Sequence, residues 1–501
     1  MTTTTEEPRS VADVVSDLSI RSQAFIDGAY VDAADGETFD AVSPIDGHVV
    51  AQVAAGDRED VDRAVAGARR VFEEGTWSRL APKKRKKVLQ RLAELMADNA
   101  EELALLETID MGKPIRDARN VDIPNATECI AWYGEAIDKV YDEIAPTGPE
   151  AHVSIVREPL GVIGAVVPWN FPLLMASWKL GPALASGCSV VLKPAEQSPL
   201  TALRLAELAS EAGLPDGVLQ VVPGLGETAG QALGRHPDVD MIAFTGSTEV
   251  GKLFLRYSGE SNMKRVALEC GGKSPHIVTK DCGSLDAAAM AVAWGVFYNQ
   301  GEVCNAGSRL LVHESVKDEL LEKVVKVAER ITPGDPLDPK TRMGAIVDST
   351  QLDRVLGYIE SGKSEGAGLY LGGNRAREES GGFYVEPTIF DAVTNDMTIA
   401  QEEIFGPVLS AISFSELDEA ITIANDTIYG LSAGIWTDDV NVAHKAARAL
   451  RAGVVWVNTF DAGDISAPFG GFKQSGFGRD KSIHALDKFS DLKTIWIALR
   501  D

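Results

Sequence analysis

GVIGAVV (161–167), SVVLK (189–193), GVLQVV (217–222), MIAFTG (241–246) and RVALE (265–269) are five short apolar runs. Four stretches with helical spacing separate them: KLGPALASG (179–187), PLTALRLAELASEAG (199–213), TAGQALGRH (228–236) and TEVGKLFLRYSG (248–259). Nearly all-apolar strands joined by helices imply a parallel sheet buried on both faces, and so a doubly wound α/β domain whose ligand lies at the carboxyl ends of the strands. Downstream, a second alternating set implies a second α/β domain: HIVTK (276–280), a helix to Phe297, RLLVH (309–313), SVKDELLEKVVKVAERI (315–331), LSAGIWT (431–437), VAHKAARAL (442–450) and GVVWVN (453–458). Upstream, QAFIDGAYV (23–31) and the turn Pro44-Ile45-Asp46-Gly47 read as short strands and turns. The segments 63–75, 87–112 and 126–142 repeat apolar residues at three and four, as amphipathic helices do. HVSIVR (152–157) is extended without a local partner and is expected to pair with KTIWIAL (493–499).

The chain has 501 residues, 45% of them hydrophobic, enough for two or three domains with full cores. Its net charge of −26 repels nucleic acid and anionic membranes. The one basic run, Lys83-Lys84-Arg85-Lys86-Lys87, follows Ala81-Pro82 and reads as a solvated helix start. Five cysteines without a CxxC pair indicate neither a disulfide framework nor a zinc ribbon. The first twenty residues lack the basic and apolar regions of a secretory signal, and no apolar run approaches a membrane span of about 18–20 residues. A cytoplasmic protein is expected, without nucleic-acid or membrane partners.

The chemistry concentrates at predicted strand ends and in FYNQGEVCNAGSRL (297–310). There Cys304 sits in a loop of small residues, where Gly301, Ala306 and Gly307 let the backbone turn and bring an amide N–H to a reacting carbonyl. A lone cysteine is ordinarily a small buried hydrophobe; Asn170 and Glu269 at neighbouring strand ends argue for a nucleophile. Gly246 and Gly251 bracket a helix start, whose free N–H groups and dipole suit a pyrophosphate, although the spacing is not G-x-G-x-x-G.

PWNFP (168–172), KPAEQSP (193–199), FTGSTEVG (244–251), LECGGKSP (268–275), FYNQGEVC (297–304), EEIFGPV (402–408) and PFGGFKQSGFGRD (468–480), in this order, resemble the aldehyde dehydrogenase superfamily over nearly the whole chain. MKRVALE (263–269), the run Asp464–Asp480 and DLKTIWI (491–497) resemble most its branch that oxidises γ-glutamyl-γ-aminobutyraldehyde and other aminoaldehydes in putrescine degradation. The resemblance implies a Rossmann-like NAD-binding domain (1–140 and 161–270), an α/β catalytic domain (271–475) and a small β oligomerisation element (141–160 and 476–501). It also implies a homodimer or homotetramer, and no metal.

On the same ground Cys304 attacks the aldehyde, and Asn170 with the Cys304 backbone N–H holds the oxyanion. Glu269 activates water against the thioester, and Lys179 relays protons with Asp480, which is shorter than the Glu of many relatives. Trp169, Lys193, Glu196, Gly226, Gly246, Ser247, Glu403 and Phe405 match positions that hold NAD. Phe171, Trp178 and Phe469 match walls of the substrate tunnel. Asp122, Asn125, Asp461 and Asp464 are expected at its mouth, where acids suit a cationic aminoaldehyde; a purely structural role for these Asp residues would be to cap turns. A relative that passes the thioester to coenzyme A would not need Glu269. A tunnel for neutral aldehydes is a rival expectation, and a non-catalytic binding or structural protein on the same fold is another.

Overall fold

Within residues 9–500, which the computed structural model describes, the five apolar runs form adjacent parallel strands. The first eight residues of the N-terminal stretch, which lack a secretory-signal pattern, lie outside the described residues. The order is Leu219–Val221, Ser189–Lys193, Val162–Val166, Met241–Gly246, Arg265–Cys270. The chain winds away from Val162–Val166 in one direction, returns beside it, and winds away in the other. This reversal opens a crevice between Val162–Val166 and Met241–Gly246 at their carboxyl ends, where open α/β sheets take their ligands. Every residue of Val162–Val166 and Ser189–Lys193 is buried, each large apolar side chain contributing roughly 1.5–3 kcal/mol.

Two additions extend this sheet. Ala24–Ile26 and Ala29–Val31 form a hairpin that joins one edge through Phe25 beside Val221. Its turn residues Asp27 and Gly28 have φ of 49° and 81°, the two-residue geometry that matches strand twist. At the other edge Gly476–Phe477, from the stretch assigned to the oligomerisation element, pairs with Arg265–Cys270 and sets Gly476 beside Glu269.

The second sheet runs Gly368–Leu371, Thr388–Asp391, Val408–Phe414, Arg309–His313, Pro275–Val278, Ser432–Trp436, Val454–Val457. Only its first pair is antiparallel. The four strands expected from sequence lie together at one end. The other three escape sequence reasoning, because two are only four residues long and VLSAISF interleaves serine with apolar residues.

The pattern over 87–112 breaks at Asn99 into helices Pro82–Asp98 and Ala100–Met111. The basic run is the solvated start of the first: Lys83 and Lys84 are exposed, while Arg85 turns in and donates to the Ser78 and Leu80 carbonyls. HVSIVR lies in Ala151–Pro159, which pairs antiparallel with Ser490–Ala498 from Ala151 beside Ala498 to Pro159 beside Ser490. Glu143–Ile144 flanks it on the other side. Among the described residues no helix is long and apolar enough to cross a membrane.

Helices Ile123–Ala136 and Pro172–Ser186 pack closely because Gly181 has no side chain: a Cβ there would come within 2.6 Å of the Tyr133 ring. The Tyr133 hydroxyl in turn donates to the Ser482 carbonyl at 3.0 Å. Gly181→Val should force the helices apart and destabilise the fold by about 1–3 kcal/mol, read as a lower urea midpoint. An unchanged midpoint would show that this contact relaxes freely.

Candidate active site

The cysteine loop is built by backbone that reverses direction. Helix Leu285–Phe297 ends, Asn299, Gln300 and Gly301 follow with φ of 46°, 56° and 74°, and a side chain on Gly301 would run into the Gly406 carbonyl. Left-handed backbone at two non-glycine residues persists only where neighbours enforce it. Here Asn299 Nδ2 donates to the Asn170 carbonyl (3.1 Å) and the Glu302 carbonyl (3.3 Å). Gln300 Oε1 accepts from Gly344 N (2.9 Å) and Glu302 Oε1 from Val347 N (3.0 Å). Asn170, 3% exposed, donates from Nδ2 to the Glu302 carbonyl at 2.9 Å. An amide nitrogen carries two N–H groups, so a second donor remains beside the Cys304 loop.

Cys304 lines a cavity of about 290 Å³ together with Asn125, Phe171, Trp178, Asp461, Asp464 and Phe469. Trp178 and Phe469 lie 5.3 Å apart, ring to ring, and Phe171 stacks on Tyr298 at 6.3 Å. Burial pushes the Cys304 thiol well above its ordinary range, and the Glu269 charge adds to this. Glu269, 3% exposed at the end of Arg265–Cys270, accepts no hydrogen bond of good geometry, although the Cys304 thiol and the Thr245 hydroxyl stand near enough to favour its charged form. Burial raises its pKa to about 7, with Lys179 opposing and Asp480 adding. A protonated thiol beside a carboxyl that titrates near neutrality can pass its proton on and add to a carbonyl, while amide N–H groups carry the negative charge that results.

Behind Glu269, in a small second cavity, Lys179 pairs with Asp480 at 2.5 Å, both 2% exposed, and Lys488 takes the other carboxylate oxygen. Burial alone would raise the Asp480 pKa, but the two ammonium groups hold it below the usual carboxylate range. Cys270 packs against helix Thr248–Gly259, its Sγ 3.0 Å from where a Gly251 Cβ would stand, and burial pushes its thiol up to about 12. That is the profile of an inert packing thiol.

The expected dinucleotide positions gather at the carboxyl ends of the first sheet and the facing loop. Lys193 pairs with Glu196 at 3.0 Å. Ser247 follows Gly246, the last residue of its strand, and caps helix Thr248–Gly259 by accepting from Val250 N at 3.2 Å. Gly226 opens the π-turn Gly226–Gly230 with open space around it. Trp169 meets Phe405 edge to face at 5.1 Å. Glu403 accepts from Gly272 N at 3.1 Å, and only glycine at 271 leaves room for its carboxylate.

Asp122 is not brought to the cavity. It is fully buried and paired with Lys113 at 2.6 Å, behind Phe171, whose ring lies 4.3 Å from the Lys113 ammonium. Val121, Asn125 and Glu128, at i, i+4 and i+7, form the face that lines the cavity; Asp122 is one residue, about 100°, off it. The two expected acids that do reach the cavity, Asp461 and Asp464, are already engaged. Asp461 accepts from Asn305 Nδ2 at 2.6 Å, and Asp464 caps a turn by accepting from Ser466 N (2.8 Å) and Oγ (2.5 Å). Sequence reasoning missed Glu128, Lys481, Tyr298 and Trp456, all of which line the cavity. Glu128 was legible from the spacing of Asn125; no sequence signal turned Lys481 inward.

The aldehyde dehydrogenase family profile matches residues 30–495. The NADP/NAD-dependent aldehyde dehydrogenase PuuC of Escherichia coli (strain K12) is 55% identical to this chain over 487 residues, covering 97% of this chain and 98% of its own length. An indole-3-acetaldehyde dehydrogenase solved with NAD+ is 58% identical with a TM-score of 0.97, covering 98% of this chain and 100% of its own. The γ-glutamyl-γ-aminobutyraldehyde dehydrogenase of Burkholderia cenocepacia J2315 is 57% identical with a TM-score of 0.96 and the same coverage.

A buried carboxyl whose folded pKa is raised binds its proton more tightly in the native state. Its ionisation therefore destabilises the fold increasingly as pH rises from the ordinary glutamate value through about 7, and fully above that. Glu269→Gln should gain stability relative to the parent by about 2–4 kcal/mol between pH 4.5 and 8. Parallel stability curves from urea unfolding at the two ends of that range would contradict the burial of this charge.

Proposed function

The chain belongs to the aldehyde dehydrogenase family, and on that premise we propose that it oxidises aminoaldehydes, γ-glutamyl-γ-aminobutyraldehyde or 4-aminobutyraldehyde, to carboxylates with NAD. One observation carries the reading: Cys304 at the floor of a cavity, with an unbonded Glu269 carboxyl behind it and a spare Asn170 N–H beside it. The names of the Burkholderia relative and of the NAD+ complex support the substrate class and the cofactor.

The residues present fit a dinucleotide. Exposed Leu225 and Val250 flank the starts of the two turns that follow their strands, Gly226 leaves open space, and Gly271 makes room for Glu403. Glu403 and Lys193 would hold ribose hydroxyls, Ser247 a phosphate, and Phe405, propped by Trp169, the nicotinamide side. Glu196 stands against a 2′-phosphate, softened by its pairing with Lys193. The chemistry a bound NAD supplies is acceptance of the hydride from the carbonyl carbon.

Cys304 gives up its proton to Glu269 and adds to the aldehyde, forming a thiohemiacetal. The Cys304 backbone N–H and the free Asn170 N–H carry the oxyanion. Lys179, Asp480 and Lys488 offer the proton taken from Cys304 a route outward, so that after oxidation to the thioester Glu269 is again a carboxylate; it then draws a proton from water, whose oxygen adds to the thioester carbon and expels the Cys304 thiolate. Aromatic walls at Phe171, Tyr298, Trp178 and Phe469 favour a second reading, an aromatic aldehyde, in line with the name of the indole-3-acetaldehyde relative. A cytoplasmic setting fits five cysteines that are all free thiols.

Cys304→Ala should leave less than about a thousandth of wild-type turnover with NAD binding retained. Glu269→Gln lacks both the acceptor for the Cys304 proton and the base for water, so its NADH burst should be slowed and its steady turnover lowered roughly hundredfold or more. Because the base must be ionised, wild-type turnover should rise with pH through about 7, a limb that Glu269→Gln loses. A burst as fast as that of wild type in Glu269→Gln would take thiol activation away from the residue and leave it the water alone.

The assembly we propose is a homodimer or homotetramer joined through Ser490–Ala498, an edge strand that exposes Leu492, Ile495, Trp496 and Ile497. An apolar edge of this kind is a template for strand addition. Light scattering at micromolar concentration should give a multiple of the 53.5 kDa chain; a fully active monomer would overturn it.

A further inference from the structure

Cys304 and Asn305 are the two central residues of a turn that Ala306 N closes by donating to the Val303 carbonyl at 3.0 Å. Val303 and Ala306 are buried, so the freedom left to the turn is a pivot about its ends. Contacts on three sides oppose that pivot. A Cβ on Gly272 would stand 2.7 Å from the Cys304 carbonyl oxygen, so the two segments are packed face to face. The Asn305 carbonyl accepts from Ser432 Oγ at 3.3 Å. The Asn305 side chain, 5% exposed as a residue, donates from Nδ2 to Asp461 Oδ1 at 2.6 Å.

Asp461 can serve as an anchor because its own loop is fixed. Asn458, three residues before it, exchanges side-chain hydrogen bonds with the N–H and the carbonyl of Thr437, 2.9 Å each. The Phe460 ring stacks on His276 at 4.5 Å and 12°. It fills a slot in which a Cβ on Gly434, Gly295 or Gly307 would come within 2.7, 3.0 and 3.0 Å of it. Asp461 follows with φ of 56°, left-handed backbone that Asp tolerates better than most residues. The Asn305 amide and the Lys481 ammonium both favour its charged form, against burial, and a charged acceptor makes the stronger hydrogen bond.

We propose that Asp461 is a positioning residue for the nucleophile: through Asn305 it holds the turn that carries Cys304, so that the thiol and the Cys304 N–H meet the same carbonyl group. This rests on Cys304 as the nucleophile and is independent of which aldehyde is oxidised.

The rate of the NADH burst with saturating propionaldehyde tests it, since a small neutral aldehyde gives the Asp461 carboxylate nothing to bind. Asn305→Ala and Asp461→Ala should each slow the burst about tenfold to hundredfold, and the double variant should be no slower than either single one. Asp461→Asn keeps an acceptor for Asn305 and should recover most of the rate. Alkylation of Cys304 by iodoacetamide displaces iodide and needs no oxyanion donor, so its rate should stay close to that of wild type, as should NAD affinity. Losses that multiply in the double variant overturn the proposal. An alkylation loss equal to the burst loss overturns it too, because the pair would then act on the ionisation of the thiol and not on its aim. A burst that survives in Cys304→Ala would remove the nucleophile reading itself, and the positioning role with it.

Discussion

Asn170 lies in the bend that follows strand Val162–Val166 of the first sheet and Glu302 in the loop that leads to strand Arg309–His313 of the second, and the hydrogen bond between the Asn170 side chain and the Glu302 carbonyl, answered by Asn299 donating to the Asn170 carbonyl, locks the two segments together. Each such bond contributes only about 0.5–1.5 kcal/mol net. Its larger effect is positional: both amides are buried, so breaking the pair would strand polar groups away from water. The left-handed stretch Asn299–Gly301 is thereby held, and with it the direction in which Cys304 faces. The donor that anchors the cysteine loop is the same nitrogen that has a second N–H to offer a developing oxyanion, so anchoring and chemistry share one group.

Electrostatics divides the interior around this lock into two chambers. On one side lie Cys304, partly exposed to the cavity, and Glu269, buried, both held toward their neutral forms. On the other, Lys179 and Lys488 flank Asp480 and keep it ionised. Gly476, beside Glu269 in the sheet, ties the segment that carries Asp480 to the strand that carries Glu269. A proton can thus be held loosely next to the thiol and drawn toward a fixed charge behind it. The shorter Asp480 is met from two sides by ammonium groups rather than from one.

The cavity mouth shows how far local reasoning reaches. Aromatic walls at Phe171, Trp178 and Phe469 stand where the motifs put them. The acids do not behave as a group: Asp122 lies behind the wall with Lys113, Asp461 and Asp464 are held by Asn305 and Ser466, and Glu128 takes the open position. One residue of helical offset separates Asp122 from the lining, and a single turn of the main chain brings Lys481 into it. Charge counts along a sequence carry no such orientation.

Periodicity alone determined the two α/β layers, because parallel strands buried on both faces must be apolar throughout and their crossover helices must be amphipathic. The pairing of His152–Arg157 with the C-terminal strand was legible too, each being extended and lacking a local partner. Ordered motifs singled out Cys304, Glu269 and Asn170 as candidate nucleophile, base and donor, since such groups have to sit at strand ends and turns. Tertiary structure alone decided the three further strands of the second sheet, whose short or mixed sequences become strands only through neighbours. It alone decided the raised pKa of Glu269, which comes from burial by distant segments, and the inward aim of Lys481, which depends on a positive φ imposed by Phe469, Ile465 and Tyr133. Burial, register and strain are properties of what packs against a residue, and most of those partners lie far from it in the chain.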